Sequence, residues 1–209
     1  MFCKICGSGE VVTLFVAANT HGRHILDPAY RFDIFCCQDC GVIFVGNVIA
    51  NDEYFSKYYR QDYYESGISG NFVNYALGLF GKAVIGFKES EILKNLKPQK
   101  FSKVRILDIG CGSGDFLANI NSKIFEKYGV EVNQEGYEKC KQQNLKVFNK
   151  ELKECSFEAE HFDVITLWHV LEHLDKPGEL LIEARRILKN GGLLIVATPN
   201  TDSLGFRLG

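Results

Sequence analysis

Apolar positions in the second half of the chain alternate between two patterns. Largely apolar segments at 104–109 and 162–168, with shorter ones at 128–132, 145–148 and 193–197, each read as a strand, although Arg105, Asp108, Asp163 and Thr166 interrupt the first two. The segments between them at 115–120, 135–143 and 176–188 read as helices. In the last of these, Leu180, Leu181, Ala184, Ile187 and Leu188 fall on one face. Asp175 stands at its start as a cap and Asn190-Gly191-Gly192 stops it. Strands joined by helical crossovers predict an α/β fold with a parallel sheet.

The first half is different. Residues 30–35 (Tyr-Arg-Phe-Asp-Ile-Phe) alternate as a half-buried strand does. Tyr54, Tyr58, Tyr59, Tyr63 and Tyr64 crowd one stretch, which packing or a pocket lining would explain. From Asn71 to Leu96, Phe72, Tyr75, Ala76, Leu79, Phe80, Ala83, Val84 and Phe87 recur at helical spacing, although Gly78, Gly81 and Gly86 weaken that helix. Pro98 closes it. The chain thus divides into 1–50, a helical connector or lid at 51–100, and a core at 101–209.

Composition narrows the classes. The 209 residues carry a formal net charge of −2, which offers no general attraction for nucleic acid or an anionic membrane. No run approaches the ~20 apolar residues of a membrane helix. The start, Met-Phe-Cys-Lys-Ile-Cys, lacks the charged and apolar regions of a secretory signal. A cytoplasmic location is expected, where paired cysteines point to metal or redox chemistry rather than disulfides.

Four of the eight cysteines form two pairs, Cys3-x-x-Cys6 and Cys37-x-x-Cys40, each followed by Gly. Two such turns supply the four soft donors of a tetrahedral Zn²⁺ and leave no open position, so a structural Zn²⁺ is expected. Cys36 competes with Cys37, but only Cys37 repeats the Cys-x-x-Cys-Gly spacing; His21 and His24 are alternative ligands. Redox motifs would need a following helix, which neither pair has.

The densest signal is Ile106-Leu107-Asp108-Ile109-Gly110-Cys111-Gly112-Ser113-Gly114-Asp115-Phe116, a strand running through three alternate glycines into a helix. Glycines allow a tight turn and close approach of a ligand, and the helix start offers free N–H groups. Glu131 lies 21 positions after Gly110, where a carboxylate can meet ribose hydroxyls. The spacing is Gly-x-Gly-x-Gly, with Asp115 where a dinucleotide fingerprint needs its third glycine. Asp108 would repel a pyrophosphate and suits a ligand carrying a positive group.

This run resembles the first motif of class I S-adenosylmethionine-dependent methyltransferases. Phe162-Asp163-Val164-Ile165, Val170-Leu171-Glu172-His173-Leu174, Leu188-Lys189-Asn190-Gly191-Gly192-Leu193 and Pro199-Asn200 are similar to that family's fourth- and fifth-strand motifs, in order. The resemblance covers about 104–200. It implies a Rossmann-like, doubly wound parallel sheet with S-adenosylmethionine across the carboxyl ends of its first two strands. It implies that Gly110, Gly112 and Gly114, with Cys111, surround the amino-acid end of the cofactor. Asp108 organises the loop, Glu131 holds the ribose and Val132 lies on the adenine. Glu151 and Leu152 stand at the adenine edge, and Trp168 counts with these contacts. The family sheet ends in an antiparallel pair for which no residues remain after Gly209, so an incomplete sheet is expected. Its free fifth strand would then pair two copies, be covered by residues 201–209, or promote aggregation.

His169-Val170-Leu171-Glu172-His173 matches the His-x-x-Glu-His zinc-protease pattern. It follows a buried strand directly, which argues against that use. Within the resemblance, His169 or His173 is a candidate general base, and Glu172 fixes a His tautomer or binds a cation. A paired-cysteine module ahead of such a core is similar to sugar C-methyltransferases and suggests a small-molecule acceptor, such as a nucleotide-linked sugar. A rival is a non-catalytic zinc-ribbon interaction module on a degenerate Rossmann-like core. A nicotinamide enzyme is opposed by the glycine spacing.

Overall fold

The computed structural model describes residues 1–18, 31–46, 71–96 and 103–200, with the backbone alone for 71–80. The Tyr54–Tyr64 cluster, His21, His24 and residues 201–209 lie outside the described residues. The chain divides into two compact units: Met1–Arg60 with Glu172–Glu179, and Gln61–Leu171 with Leu180–Gly209.

The first unit contains a three-stranded antiparallel sheet: β1 (Val11–Ala18), β2 (Arg31–Cys37) and β3 (Ile43–Val45), in that order. β2 follows the alternation of 30–35. The register puts Val11 opposite Cys37 and Cys36 opposite Ile43, and slips once between Thr13 and Phe15. Both knuckles close alike, with the Gly7 N–H donating to Cys3 O (3.0 Å) and the Gly41 N–H to Cys37 O (2.9 Å). Inside this unit Lys4 Nζ lies 3.0 Å from Asp175.

The second unit begins with α1 (Asn71–Asn95), then β4 (Val104–Ile109), α2 (Asp115–Asn119), β5 (Phe125–Val130), α3 (Gln134–Gln142), β6 (Val147–Phe148) and β7 (Phe162–Trp168). α4 (Pro177–Ile187) begins in the first unit and ends in the second, where β8 (Leu188–Ala197) follows it. The parallel sheet runs β6-β5-β4-β7-β8. β4 and β7 match the largely apolar segments at 104–109 and 162–168. β5 starts earlier than its apolar pattern, because Glu126 and Lys127 separate the fully buried Phe125 from Tyr128. β8 starts at Leu188, which pairs with Phe162, and resumes at Leu193 opposite Val164. The Gly191-Gly192 stop therefore sits in a break of register rather than between a helix and a separate strand.

Alternation along β4 explains the two faces. Leu107 and Ile109 join Tyr128, Val130, Ile165, Leu167, Ala184 and Ile187 in one core. Val104 and Ile106 join Ile92, Phe116, Leu117, Ile120 and Val164 in the other. Asp108 shares the parity of Val104 and Ile106, so the second face carries its carboxylate at the carboxyl end of the strand. Chain order reverses between β4 and β7, and ligands of open α/β sheets bind beside such a reversal.

Candidate functional site

The turn after β4 is held by backbone and side-chain bonds together. The N–H groups of Gly110 and Cys111 donate to Val130 O at 2.8 and 3.2 Å. Gly112 N–H donates to Glu131 Oε2 at 2.7 Å, while Glu131 Oε1 accepts from Asn133 N–H at 2.8 Å. Glu131 stands just past β5 and is only 6% exposed. Burial raises its pKa, opposed by the N–H groups of Asn133, Gly112 and Val132. Asn149, which the sequence motifs do not mark, donates from Nδ2 to Glu131 O (2.8 Å) and Val132 O (3.0 Å) and fixes this corner. Asn133 caps α3 by accepting from the N–H groups of Glu135 and Gly136.

The three glycines of the motif play different parts. A Cβ on Gly110 would lie 2.6 Å from Val170 Cγ2. Gly114 has φ +82°, and a Cβ there would lie 2.5 Å from Leu145 Cδ1 and 2.9 Å from Cys140 Sγ. Gly112 has φ +56° and its Cβ direction is open, with nothing within 4 Å. Two glycines thus make room for the protein's own packing, and one leaves room in front of the loop. Val132 beside it is 55% exposed, an apolar side chain left without cover next to the Glu131 carboxylate. This corner fits a nucleoside with an extended polar end: hydroxyl acceptors, an apolar shelf and a backbone without a Cβ.

Asp108 is 2% exposed and accepts from Thr166 Oγ1 at 2.6 Å, its register neighbour across the β4–β7 reversal. Burial pushes its carboxyl up to about 7, against the Thr166 hydrogen bond and the Lys88 charge; the Glu131 charge adds to the rise. The ordinary value is near 4. Between about pH 4 and pH 7 the folded chain keeps a proton that the unfolded chain has released, so stability falls over that window and levels above it. Asp108→Asn is expected to be more stable than the parent at pH 8 by about 1–3 kcal/mol, with the gap closing by pH 4. Denaturant unfolding followed by Trp168, the single tryptophan of the chain, reads this. Equal stabilities at pH 8 would show that the buried charge is already compensated.

Cys111 Sγ lies 3.9 Å from Cys140 Sγ, which in turn donates to Gly112 O at 3.2 Å. The Cys140 contact and burial push the Cys111 thiol upward. Both thiols are buried and pack the loop against α3. Leu152 is buried in the core beside Val130. Glu151 caps the short 3₁₀ turn Leu152–Cys155 and pairs with Lys153 at 3.0 Å. Trp168 meets Phe116 edge-on at 5.5 Å, and its buried Nε1 has no hydrogen-bond partner among the described residues.

In the first unit, the thiols of Cys3, Cys6, Cys37 and Cys40 all lie within 4.8 Å of one another. Cys3–Cys40 and Cys6–Cys37 are each 3.6 Å apart, close to the ~3.8 Å edge of a tetrahedron with Zn–S near 2.3 Å. Cys36 is outside the cluster; its Sγ contacts Cys37 O instead. The donor set fits a closed, soft-ligand metal centre. Among the described residues it is the single group of three or more such side chains gathered in this way.

His169 directly follows β7 in the second unit. It has φ +56°, is exposed, and its N–H donates to Ala197 O at 2.9 Å. Glu172 and His173 belong to the first unit, on the 3₁₀ turn Leu171–His173. The His-x-x-Glu-His match therefore lies on a bend and a 3₁₀ turn, without the helix that a protease site of this kind needs.

A family described as "Methyltransferase domain" matches residues 81–207. An uncharacterized protein of Methanocaldococcus jannaschii is 33% identical over 120 residues, 57% of this chain and 55% of that protein. The ubiquinone biosynthesis O-methyltransferase of Maricaulis maris is 32% identical over 115 residues, 52% of this chain and 45% of the relative. The chain spans about half the length of the curated relatives it matches. Among solved structures, the plantazolicin methyltransferase BpumL, in complex with a monoazolic desmethylPZN analog and SAH, has a TM-score of 0.50 and 25% identity. That match covers 61% of this chain and 49% of BpumL. An Archaeoglobus fulgidus SAM-dependent methyltransferase shares the fold at a TM-score of 0.51 and 24% identity, over 61% of this chain and 57% of its own. Among the described residues no helix is long and apolar enough to cross a membrane.

Proposed function

Since the chain belongs to the methyltransferase-domain family, of the class I S-adenosylmethionine-dependent kind, we propose that its second unit binds S-adenosylmethionine and directs methyl transfer to a small molecule. The cofactor supplies an electrophilic methyl group on a sulfonium. Glu131 receives the ribose hydroxyls, and Val132 is the shelf for the adenine, with Glu151 and Leu152 at its edge. Gly112 leaves space for the amino-acid end, while Gly110, Cys111 and Gly114 hold the loop around it. Asp108 steadies the loop from below, and Trp168 walls the cleft from β7. The observation that carries this reading is the buried Glu131 carboxylate bonded to Gly112 N–H beside an open glycine face.

His169 is the favoured group to accept a proton from the acceptor, since it leaves β7 at the carboxyl end of the sheet. His173 and Glu172, on the turn that follows, are the further candidates. The relatives' names cover both quinone biosynthesis and plantazolicin, so no single acceptor is carried over. A nucleotide-linked sugar rests on the paired-cysteine resemblance alone. In the first unit, Cys3, Cys6, Cys37 and Cys40 hold one structural Zn²⁺ with no open position. Reduced thiols of this kind go with a cytoplasmic location. The backbone edge of β8, the end strand of the described five-stranded sheet, is the surface offered for pairing two copies. The non-catalytic rival has against it an intact Asp108, an intact Glu131 and the open face of Gly112.

Calorimetric titration tests the cofactor reading. The parent chain is expected to bind S-adenosylhomocysteine and not NAD. Glu131→Ala should weaken that binding by about 1.5–3 kcal/mol, the scale of charge-assisted hydrogen bonds. Binding of NAD in place of the thioether, or unchanged affinity in the variant, would sink the assignment.

A further inference from the structure

Two sulfurs that take no part in the chemistry of methyl transfer lie against the glycine loop. Cys111 is the second residue after β4, and Cys140 stands on α3, 29 positions further along. Their Sγ atoms are 3.9 Å apart. Each fills space that a glycine leaves open. A Cβ on Gly129 would lie 2.8 Å from Cys111 Sγ, and one on Gly114 2.9 Å from Cys140 Sγ. Both thiols are buried, and the contact with Cys111 lowers the pKa of Cys140 against burial and the Glu131, Asp108 and Asp115 charges. Cys140 is thus the readier thiolate, with Cys111 as the sulfur beside it.

This pair is tied to the open glycine of the loop. Gly112 donates its N–H to Glu131 Oε2 at 2.7 Å, and its carbonyl oxygen accepts from Cys140 Sγ at 3.2 Å. α3 stands so close to this carbonyl that a Cβ on Gly136 would lie 2.9 Å from Gly112 O. Gly112 is therefore held from both sides, and one of the two holds is a thiol proton. A disulfide has an S–S bond near 2.05 Å, so joining the sulfurs needs an approach of roughly 2 Å. It also takes away the S–H that Gly112 O accepts. The oxygen has little room to follow toward α3, because Gly136 is already against it.

We infer that Cys111 and Cys140 are an oxidative modification site, joined by a peroxide into a disulfide that closes the cofactor site. The Cys140 thiolate attacks one peroxide oxygen, which breaks the O–O bond and gives a sulfenic acid. The Cys111 sulfur then attacks the Cys140 sulfur and displaces that oxygen as water. In sum, two S–H bonds and one O–O bond break, while one S–S bond and two O–H bonds form. The two sulfurs are oxidised, and the peroxide is reduced to two waters. The cross-link draws the loop toward α3, turns the Gly112 peptide and takes its N–H from Glu131. By linkage, a bound cofactor holds the loop in place and opposes the cross-link. The effect on binding rests on the cofactor reading above, whereas the cross-link itself does not.

The test treats the full chain, purified without chelator, with hydrogen peroxide. Peptide mapping without reduction is expected to find Cys111 joined to Cys140. Affinity for S-adenosylhomocysteine should fall by about 10- to 100-fold, the scale of one lost charge-assisted hydrogen bond, and a phosphine reductant should restore it. Saturating S-adenosylhomocysteine should slow formation of the cross-link. Cys140→Ser keeps a donor toward Gly112 O but cannot be joined, so treated and untreated protein of this variant should bind alike. Peroxide that oxidises the half-buried Cys36 and Cys155 and leaves Cys111 and Cys140 as thiols overturns the proposal. So does a cross-link that leaves affinity unchanged, or an equal loss of affinity in treated Cys140→Ser, which traces the loss to other thiols. If that variant does not fold, Cys140→Ala takes its place, and the phosphine reversal and ligand protection in the parent need no variant. An untreated parent that fails to bind S-adenosylhomocysteine refutes the cofactor reading, and with it the closure of the site, even where the cross-link is found.

Discussion

Gly112→Val is expected to abolish measurable binding of S-adenosylhomocysteine while the second unit still folds. A Cβ at Gly112 has no heavy atom within 4 Å, so a side chain there grows into the open space in front of the loop that a ligand would use. The φ of +56° adds a cost of about 1–2 kcal/mol for any side chain, which a domain of this size tolerates. The expected loss of affinity is more than about 100-fold, or roughly 2.7 kcal/mol. Gly114→Ala provides the contrast. Its Cβ would lie 2.5 Å from Leu145 Cδ1 and 2.9 Å from Cys140 Sγ. Its effect should be on stability first, by about 2 kcal/mol or more. Thermal unfolding and calorimetry of both variants separate the two. Binding by Gly112→Val within threefold of the parent would show that the ligand passes elsewhere.

Metal analysis is expected to find one zinc per chain, lost in Cys37→Ser and kept in Cys36→Ser. Four thiols within 4.8 Å of one another conflict with each other when they ionise. Burial opposes a charge on Cys3, but the N–H groups of Cys6 and Ile5 and the Cys6 and Cys40 thiols hold it down to about 6. Cys40 is eased by Val42 N–H, yet burial and the thiols of Cys6, Cys3 and Cys37 push it up to about 12. A divalent ion removes that conflict, and structural zinc supplies on the order of 10 kcal/mol of folding free energy to small modules. A strong chelator should therefore cost residues 31–46 their amide-exchange protection, while residues 104–109 in the second unit keep theirs. Protein purified without chelator and found free of zinc would refute the metal assignment.

Much of the fold was legible because its signals are local. β4 and β7 are short segments rich in Val, Ile, Leu and aromatic residues, interrupted only by Arg105 and Asp108 and by Asp163 and Thr166, and that composition marks a strand without reference to its partner. The three alternate glycines and the two Cys-x-x-Cys-Gly turns are local for the same reason: a turn's geometry is set by the residues inside it. β1 escaped this reading, since Val12, Leu14, Phe15 and Val16 are all exposed and follow no alternation that marks a covered face. The early start of β5 was hidden by Glu126 and Lys127, and the register break of β8 by a Gly-Gly pair that reads equally well as a helix stop.

The amino-acid sequence by itself determined the glycine turn, the carboxylate 21 residues beyond it, the paired cysteines and the order of strands and helices from residue 104 onward, because each depends on neighbours along the chain. Only the tertiary structure decided which partners those groups meet. Thr166 reaches Asp108 because β4 and β7 pair in parallel across the reversal in the sheet, in one register and no other. It also chose Cys37 over Cys36, since adjacent residues of a strand point to opposite faces. Lys88 comes to rest over Trp168 because burial of Ile85 and Ile92 fixes the rotation of α1. Contacts between residues far apart in the chain are set by how apolar faces close on one another, and no local pattern records that choice.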